Sequence, residues 1–155
     1  MSLAIWMGVS ALVASAALVR WARRQWLLVT VQGHSMEPTL HDGQRLIARR
    51  LRGSRDQDAG YVRSDVVVFL LPGWQLEALE SADLAYRVKR VAAVAGDPVP
   101  EWAWQALSAD AQTRVPPGKV VVSGDNPRSQ DSRQLGYIDA QSLIAVVRPS
   151  GSEPG

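Results

Sequence analysis

The stretch from Leu84 to Ala95, LAYRVKRVAAVA, is mainly apolar and decides the fold class of this chain. In an extended strand, alternate side chains share one face of the sheet, so Lys89 would lie on the same face as Val91 and Ala93. The chain has 17 lysine and arginine residues, of which only Lys89 and Lys119 are lysines. The stretch therefore predicts a β-strand that carries one of two lysines among apolar neighbours.

Four other segments have the same character and extend this prediction to a whole domain. Each is rich in Val, Leu and Ile and is bounded by Gly, Pro or Asp, which is the pattern of strands separated by turns. The segments are Trp26 to Val31, Gln44 to Leu51, Asp65 to Leu71 and Lys119 to Ser123. We therefore predict a mostly β fold, an antiparallel β domain preceded by one N-terminal transmembrane helix.

The composition fits one domain and excludes several kinds of site. The chain has 155 residues, 46% of them hydrophobic, and a formal net charge of only +2. This length accommodates one globular domain plus a membrane segment. Because the chain contains no cysteine, disulfides and cysteine-based zinc clusters are excluded, and we predict neither a metal nor a cofactor. The basic segment from Arg45 to Arg63 either touches anionic headgroups or is a solvated hairpin, and no motif indicates a nucleic-acid partner.

The N-terminal stretch from Ser2 to Val19 has no charged side chain. Its length is about the minimum for a helix that spans a bilayer. Trp21 and Trp26, with the arginines near them, resemble interfacial anchors. We therefore expect a single-pass membrane anchor with its basic flank in residues 1–24. A cleaved signal peptide and a buried helix are the alternatives, although no basic residue precedes the apolar run as a secretory signal would require.

The rest of the chain divides simply. Residues 25–149 are assigned to the β domain, and residues 150–155 to a disordered tail. Within the domain, Leu71 to Asp83 and Glu101 to Ala111 are each long enough for a loop or a short helix. The sequence does not decide between these two structures.

Ser35 lies in the segment from Gly33 to Leu40, GHSMEPTL, and is a candidate nucleophile. A serine hydroxyl needs a nearby base to act in acyl transfer. Of the two histidines, His34 would point to the opposite face of an extended segment, and His41 lies in a turn that we expect to be exposed. Arginine stays protonated in proteins and cannot serve as a base. A lysine can, when burial lowers its pKa, and Lys89 has this setting.

A third segment, Gly124 to Arg133, has the sequence GDNPRSQDSR. Together and in this order, the three segments resemble the type I signal peptidases, which are membrane-anchored serine endopeptidases with a lysine base. The resemblance covers about Trp26 to Pro149 and implies that Ser35 attacks the scissile carbonyl to form an acyl-enzyme. It implies that Lys89 is the general base and then the general acid, and that Ser129 orients the lysine ammonium.

The resemblance also implies how a peptide substrate binds. An extended peptide would add as a strand beside the segment before Ser35 and the start of the lysine strand, with small residues preferred at the first and third positions before the cut. Arg87 would narrow or polarise a pocket, or else face solvent. The predicted substrate-binding residues are Val31, Gln32, Met36, Leu40, Tyr86, Arg87 and Val88. The predicted structural residues of the motifs are Gly33, Gly124, Asp125, Asn126, Asp131, Ser132 and Arg133, of which the aspartates and the arginine brace the loop by ionic contacts.

Two departures from the family pattern affect the site. One residue fewer separates Asn126 from Ser129 than in many members, so the ionic contacts of this loop would be rearranged. Gly33 stands two residues before the nucleophile, where some members have a serine that helps to bind the oxyanion. The backbone N–H of Ser35 would then do more of that work, together with a second donor that the sequence does not identify. The glycine resembles Gram-positive and mitochondrial inner-membrane members.

The resemblance implies exported precursor proteins with signal peptides as substrates, and membrane lipid as the other partner. It places the protein in the cell membrane with its catalytic domain outside the cytoplasm, whereas the positive-inside rule would keep Arg20, Arg23 and Arg24 inside. Two alternatives stay open. One is a maturation protease dedicated to a single partner protein, and the other is an inactive membrane-anchored β module that only binds peptides. Self-cleaving repressor domains lack support, because no DNA-binding segment is visible.

Overall fold

A long N-terminal helix leads directly into the β domain in the computed structural model, which describes residues 2–51, 60–71 and 86–147. Helix α1 spans Ser2–Gln25, and strand β1, Trp26–Thr30, follows without a gap. A helix before the domain is therefore present as predicted. Within the described ranges, however, no helix combines the length and apolar character needed to cross a membrane, so the predicted transmembrane helix is not confirmed.

The strands form a sheet in which every pairing is antiparallel, as the apolar segments separated by turns predict. The five predicted strands are all present, with ends within about two residues of those expected. They are β1, then β2 at Arg45–Arg50, β3 at Val66–Leu70, β4 at Tyr86–Ala93 and β5 at Lys119–Ser123. The spatial order in the sheet is β1-β2-β7-β3-β4-β5-β6.

Strands β6, Ile138–Asp139, and β7, Leu143–Val147, are absent from the predicted set. The second of these omissions matters more, because β7 lies between β2 and β3 and joins the two parts of the sheet. Its sequence, LIAVV, is an uninterrupted apolar run, and such short runs lack the alternation that identifies a half-buried strand. β6 has only two residues, too few for any periodicity to show.

Short helices complete the described structure. The undecided stretch from Glu101 to Ala111 contains a 3-10 turn, Glu101–Ala103, that continues into helix α2, Trp104–Leu107. Helix α3 spans Ser132–Leu135, and a second 3-10 turn spans Ala140–Ser142. Three stretches considered in the sequence analysis lie outside the described residues, namely 72–83 of the first undecided stretch, 52–59 of the basic segment and the tail 150–155.

Strand β3 is buried on both faces, and its alternate side chains pack into two different apolar clusters. Val68 joins the cluster that contains Met36, and Phe69 joins the cluster that contains Val91 of β4. Alternation along a strand makes this division possible, since neighbouring side chains point to opposite faces. The turn that carries Ser35 and the strand that carries the buried lysine are therefore both packed against β3.

Candidate active site

A groove of about 1170 Å³ is lined by all three of the sequence segments described above. Its lining comes from β1 and the turn after it, from the first half of β4, and from the loop 126–130 that follows β5. Ser35, Lys89 and Ser129 all belong to this lining. The fold thus brings to one surface three residues that are far apart in the chain.

The turn that carries Ser35 is held by backbone hydrogen bonds and by one buried side chain. Gly33 has a φ of +81°, a conformation that favours glycine, and its N–H donates to Asp42 Oδ1 at 2.7 Å. The N–H of Leu40 donates to the carbonyl of Met36 at 2.9 Å, and the Met36 side chain is fully buried. Ser35 remains partly exposed. Among the described residues no acceptor takes its N–H, so this donor is available to a ligand.

Lys89 lies in the middle of β4 and is only 1% exposed. Val91 and Ala93, two and four residues further along the strand, are also buried. The three side chains therefore share one face of the sheet. Burial lowers the pKa of Lys89 from 10.5 to about 8, because the charged ammonium loses its hydration. The carboxylates of Asp131 and Asp125 oppose this shift, whereas the positive charge of Arg87 favours it. The low pKa therefore comes mainly from the apolar surroundings.

Gly124 is the point at which the three segments meet. The register between β4 and β5, continued by one residue, places Gly124 opposite Lys89. A Cβ atom on Gly124 would overlap Oγ and Cβ of Ser129 and would lie 2.7 Å from the carbonyl oxygen of Ser35. Any side chain here would displace one of the two serines, so the close approach of Ser129 to the nucleophile turn requires glycine.

Asn126 ties the loop after β5 to the nucleophile turn. Its N–H donates to the carbonyl of Ser35 at 3.1 Å, and its side-chain Nδ2 donates to the carbonyl of His34 at 3.0 Å. Its own oxygens accept the N–H groups of Arg128, at 2.9 Å, and of Ser129, at 3.0 Å. These four bonds fix the buried Ser129 relative to the nucleophile.

Asp131 braces the same loop from its other end. Its carboxylate accepts the backbone N–H of Arg133 at 3.0 Å and so caps α3. The Arg133 guanidinium also binds both oxygens of that carboxylate, each at 2.9 Å. The hydroxyl oxygen of Ser132 accepts the N–H of Val122 at 2.9 Å, which joins the helix to β5. The ion pair between Asp131 and Arg133 has the bracing character that the resemblance implies for these two residues.

Asp125 makes the second ionic contact, with Arg90. Nε and Nη2 of Arg90 donate to the two carboxylate oxygens at 2.8 and 2.6 Å, which lowers the pKa of Asp125. Nη1 of Arg90 donates to the carbonyl of Ser64 at 2.8 Å. Arg90 directly follows Lys89 and points to the opposite face, so it anchors the loop to the lysine strand without entering the site. This pair is not predictable from the sequence, because the register of β4 and β5 creates it.

Neither histidine contacts Ser35 among the described hydrogen bonds. His34 lines the groove, but its Nδ1 pairs with Glu37 Oε1 at 2.8 Å, a contact that raises the pKa of His34. His41 is exposed in the following turn, where its N–H donates to Gln44 Oε1 at 3.0 Å. Across the described part of the chain, no group of three or more His, Asp or Glu side chains could hold a metal ion.

The predicted substrate-binding residues divide into two groups. Val31, Gln32, Tyr86, Arg87 and Val88 line the groove. Met36 and Leu40 instead lie in the apolar cluster beneath the nucleophile turn. Their burial stabilises the turn. Because they do not line the groove, they would affect a substrate pocket only indirectly, by positioning the residues that do. Arg128 and Gln130 also line the groove and were not predicted, since no pattern in the sequence identifies exposed loop residues of this kind.

Comparison with known proteins gives one clear result. The model of the family described as signal peptidase, peptidase S26, matches residues 3–101 and 101–150. No curated protein matches the chain. The family match covers the whole groove and both catalytic candidates, but it does not distinguish Gram-positive from mitochondrial members.

Proposed function

The chain belongs to the signal peptidase family, peptidase S26, and we propose that it cleaves exported precursor proteins with Ser35 as nucleophile and Lys89 as base. The chain is a serine peptidase of this family, and signal peptidases act on precursors that carry signal peptides. The observation that carries the finer proposal is the buried lysine with a pKa of about 8 on the groove that holds Ser35.

The acylation step would begin with neutral Lys89. Nζ takes the proton from Oγ of Ser35 while this oxygen attacks the scissile carbonyl. The lysine then gives that proton to the leaving amine, so the mature protein departs with a new N-terminus and the leader remains as an ester on Ser35. A lysine with a pKa of about 8 is neutral in about a tenth of the molecules at pH 7, roughly 300 times more often than one with a pKa of 10.5.

Deacylation would use the same base. Lys89 takes a proton from water, the resulting hydroxide attacks the ester carbonyl, and the proton returns to Oγ of Ser35 as the leader leaves as a carboxylic acid. Ser129, packed against Gly124, would orient the amine between these steps. The N–H of Ser35 would stabilise the oxyanion in both. The N–H of Gly33 already donates to Asp42 and is not a candidate for the second donor.

Two strand edges on the groove support binding of an extended peptide. β1 pairs with β2 alone among the described strands. The first residues of β4, Tyr86 to Lys89, pair with β3 but lie before the segment that pairs with β5. A peptide between these edges would gain backbone hydrogen bonds from both. Val31 and Val88 would then restrict the first and third positions before the cut to small side chains.

We include attachment to the cell membrane in the proposal. The run from Ser2 to Val19 is uncharged, and the apolar side chains of Val13, Leu18 and Trp21 are exposed on α1. Exposed apolar side chains on one helix are a common feature of membrane-associated segments. The segment 1–24 would attach the chain to the membrane, with the β domain on the outer side, where exported precursors arrive.

The alternatives differ in what they predict for cleavage. A maturation protease dedicated to one partner would use the same residues on fewer substrates. An inactive peptide-binding module would have no use for a buried lysine and would cleave nothing. The combination of Ser35, Lys89 and Ser129 around Gly124 supports an active enzyme.

Cleavage of a panel of purified exported precursors, with the sites located by mass spectrometry, tests the proposal. Ser35→Ala should reduce cleavage by at least about 10⁴-fold, because it removes the attacking oxygen, and should leave the melting temperature nearly unchanged. Ser142→Ala is the matched control, since this serine only donates to Asp139 O at 2.7 Å in a surface turn. Wild-type turnover by Ser35→Ala would refute the nucleophile assignment, and cleavage of a single precursor would favour the dedicated protease.

A further inference from the structure

Trp102 does not line the groove, but its ring contacts the ion pair that braces the loop after β5. The Cζ atom of Arg133 lies over the ring, 5.9 Å from its centroid. Within about 6 Å, a guanidinium is attracted by the negative face of an indole ring. The side chain of Trp102 is 43% exposed, so its ring is not simply part of the apolar core. The contact therefore gives Trp102 a defined partner next to the active site.

The element that carries Trp102 is anchored to the sheet. Trp102 lies in the 3-10 turn Glu101–Ala103. Ala103 is fully buried in a third apolar cluster, together with Ala93 of β4 and Val121 of β5. β4 is also the strand that carries the lysine of the proposed dyad. The turn therefore gives the ring a fixed position, against which the guanidinium rests.

Arg133 connects this fixed position to two points near the dyad. Its Nε and Nη2 bind the two carboxylate oxygens of Asp131, each at 2.9 Å. Nη2 also donates to the carbonyl of Pro127 at 3.3 Å. Pro127 lies in the loop 126–130, which carries Ser129. One guanidinium therefore holds both the loop and the aspartate that follows it.

The charged groups near Lys89 come from several elements. Asp131 and Asp125 raise the pKa of Lys89, and Arg87 lowers it. Strand β3, which packs beside the lysine strand, carries no charged residue. The other charged residues that line the groove are Arg50, Arg128 and His34, of which His34 pairs with Glu37 at 2.8 Å.

Asp131 differs from these groups because it is almost fully buried, with 1% of its surface exposed. Water and salt therefore screen its charge only weakly, and the guanidinium of Arg133 is the cation that balances it. If this guanidinium moved away, more of the negative charge would act on Lys89. An uncompensated carboxylate nearby favours the charged form of a lysine.

We propose that Trp102 is a positioning residue of the active site, which holds the Arg133 guanidinium against the buried carboxylate of Asp131. The inference rests on the proposed function, because it concerns the reaction of that same site. Loss of the ring would free the guanidinium to move, which would raise the pH at which Lys89 becomes neutral and loosen the loop 126–130. An exposed contact of this kind corresponds to a factor of about 2 to 5 in an equilibrium constant.

The pH profile of acylation at Ser35 tests the inference with the full-length, detergent-solubilised protein. A precursor-derived peptide ester is used in single turnovers from about pH 6 to pH 10. Trp102→Leu and Trp102→Gln both remove the aromatic face. Each should raise the midpoint by about 0.3 to 0.7 pH units and slow acylation at pH 7 by about 2- to 5-fold. Trp102→Phe keeps a ring and should shift the midpoint less. Arg114→Gln, which changes an exposed arginine outside the groove, should keep the wild-type profile.

A double-mutant cycle shows whether Trp102 acts through Arg133. Arg133→Gln should raise the midpoint by about one pH unit, because it leaves the carboxylate of Asp131 without its cation. Trp102→Leu should add no shift in that background. A wild-type profile in Trp102→Leu and Trp102→Gln, or an equal shift when Arg133 is already replaced, would overturn the inference and leave the proposed function intact. Failure of the wild-type protein to form an acyl-enzyme on Ser35 would overturn both.

Discussion

Lys89 combines a catalytic requirement with a cost in stability. Its pKa is about 8 in the folded protein and 10.5 without burial, so the unfolded state binds more protons between these values and stability rises with pH across that range. Below pH 8 the lysine is charged in both states, and the buried charge destabilises the fold by about 3 kcal/mol. Above pH 10.5 it is neutral in both states and this contribution vanishes.

Lys89→Met should therefore make the protein more stable, by up to about 3 kcal/mol below pH 8, with the gain fading as the pH approaches 10.5. The methionine fills a similar volume and carries no charge. Denaturant unfolding across pH measures the difference. Lys119→Met is the matched control, because Lys119 is a surface residue that pairs with Asp139 at 2.6 Å, and it should change stability by at most about 1 kcal/mol. A pH-independent effect of Lys89→Met would show that the lysine is not a buried, shifted group.

The residues whose chemistry is distinctive could be predicted from the sequence, whereas the contacts that depend on the fold could not. Ser35 and Lys89 could be identified because their segments resemble the signal peptidase motifs, and because a serine nucleophile needs a base that the histidines and arginines do not supply. The pairing of Arg90 with Asp125 could not, since it depends on strand register and on residues 35 apart in sequence. The Gly33 to Asp42 hydrogen bond escaped prediction for a similar reason, because it depends on the path of the whole turn.

Strand β5 and the loop after it hold the active site together through Gly124. Gly124→Ala should lower kcat/KM by about 100-fold or more, because the new methyl group would displace Ser129 or the turn that carries Ser35. It should also destabilise the protein by about 1 to 3 kcal/mol through overpacking. Cleavage kinetics and denaturant unfolding measure the two effects.

A double variant tests whether the loss of stability in Gly124→Ala comes from steric overlap with Ser129. Gly124→Ala combined with Ser129→Gly removes the atoms that the methyl group would meet, so it should recover part of the lost stability while remaining poorly active. Wild-type activity in Gly124→Ala alone would contradict the close packing of Ser129 on this glycine.

The strands with alternating or β-branched patterns were predicted well, and β7, the third strand of the sheet in spatial order, was not. β4 was recognisable because it lies in a mainly apolar stretch of the sequence. β7 lies inside the sheet between β2 and β3 and is buried along most of its length, so its continuous apolar sequence does not distinguish an inner face from an outer one. Its place between β2 and β3 is a property of the tertiary fold, and only the assembled sheet reveals it.

The orientation of the whole molecule in the membrane is an open conflict between two rules. The family acts on exported precursors, which favours an outer β domain, whereas Arg20, Arg23 and Arg24 favour an inner one. We expect trypsin added to intact spheroplasts to cleave within the basic segment from Arg45 to Arg63. A cytoplasmic arginine-rich protein serves as the control for lysis. Protection of the segment until the membrane is broken would place the domain inside and contradict the proposed location.

The pH dependence of acylation at Ser35 tests the central claim most directly. Single-turnover reactions with a precursor-derived peptide ester, quenched and analysed by intact mass, give the acylation rate. The rate should rise about tenfold per pH unit below pH 8 and level off above it, as the neutral fraction of Lys89 does. Lys89→Met should form no acyl-enzyme at any pH, and Lys119→Met should follow the wild-type profile. Acylation of Lys89→Met at the wild-type rate, or a midpoint near 6.5 as expected for a histidine base, would contradict the serine–lysine mechanism.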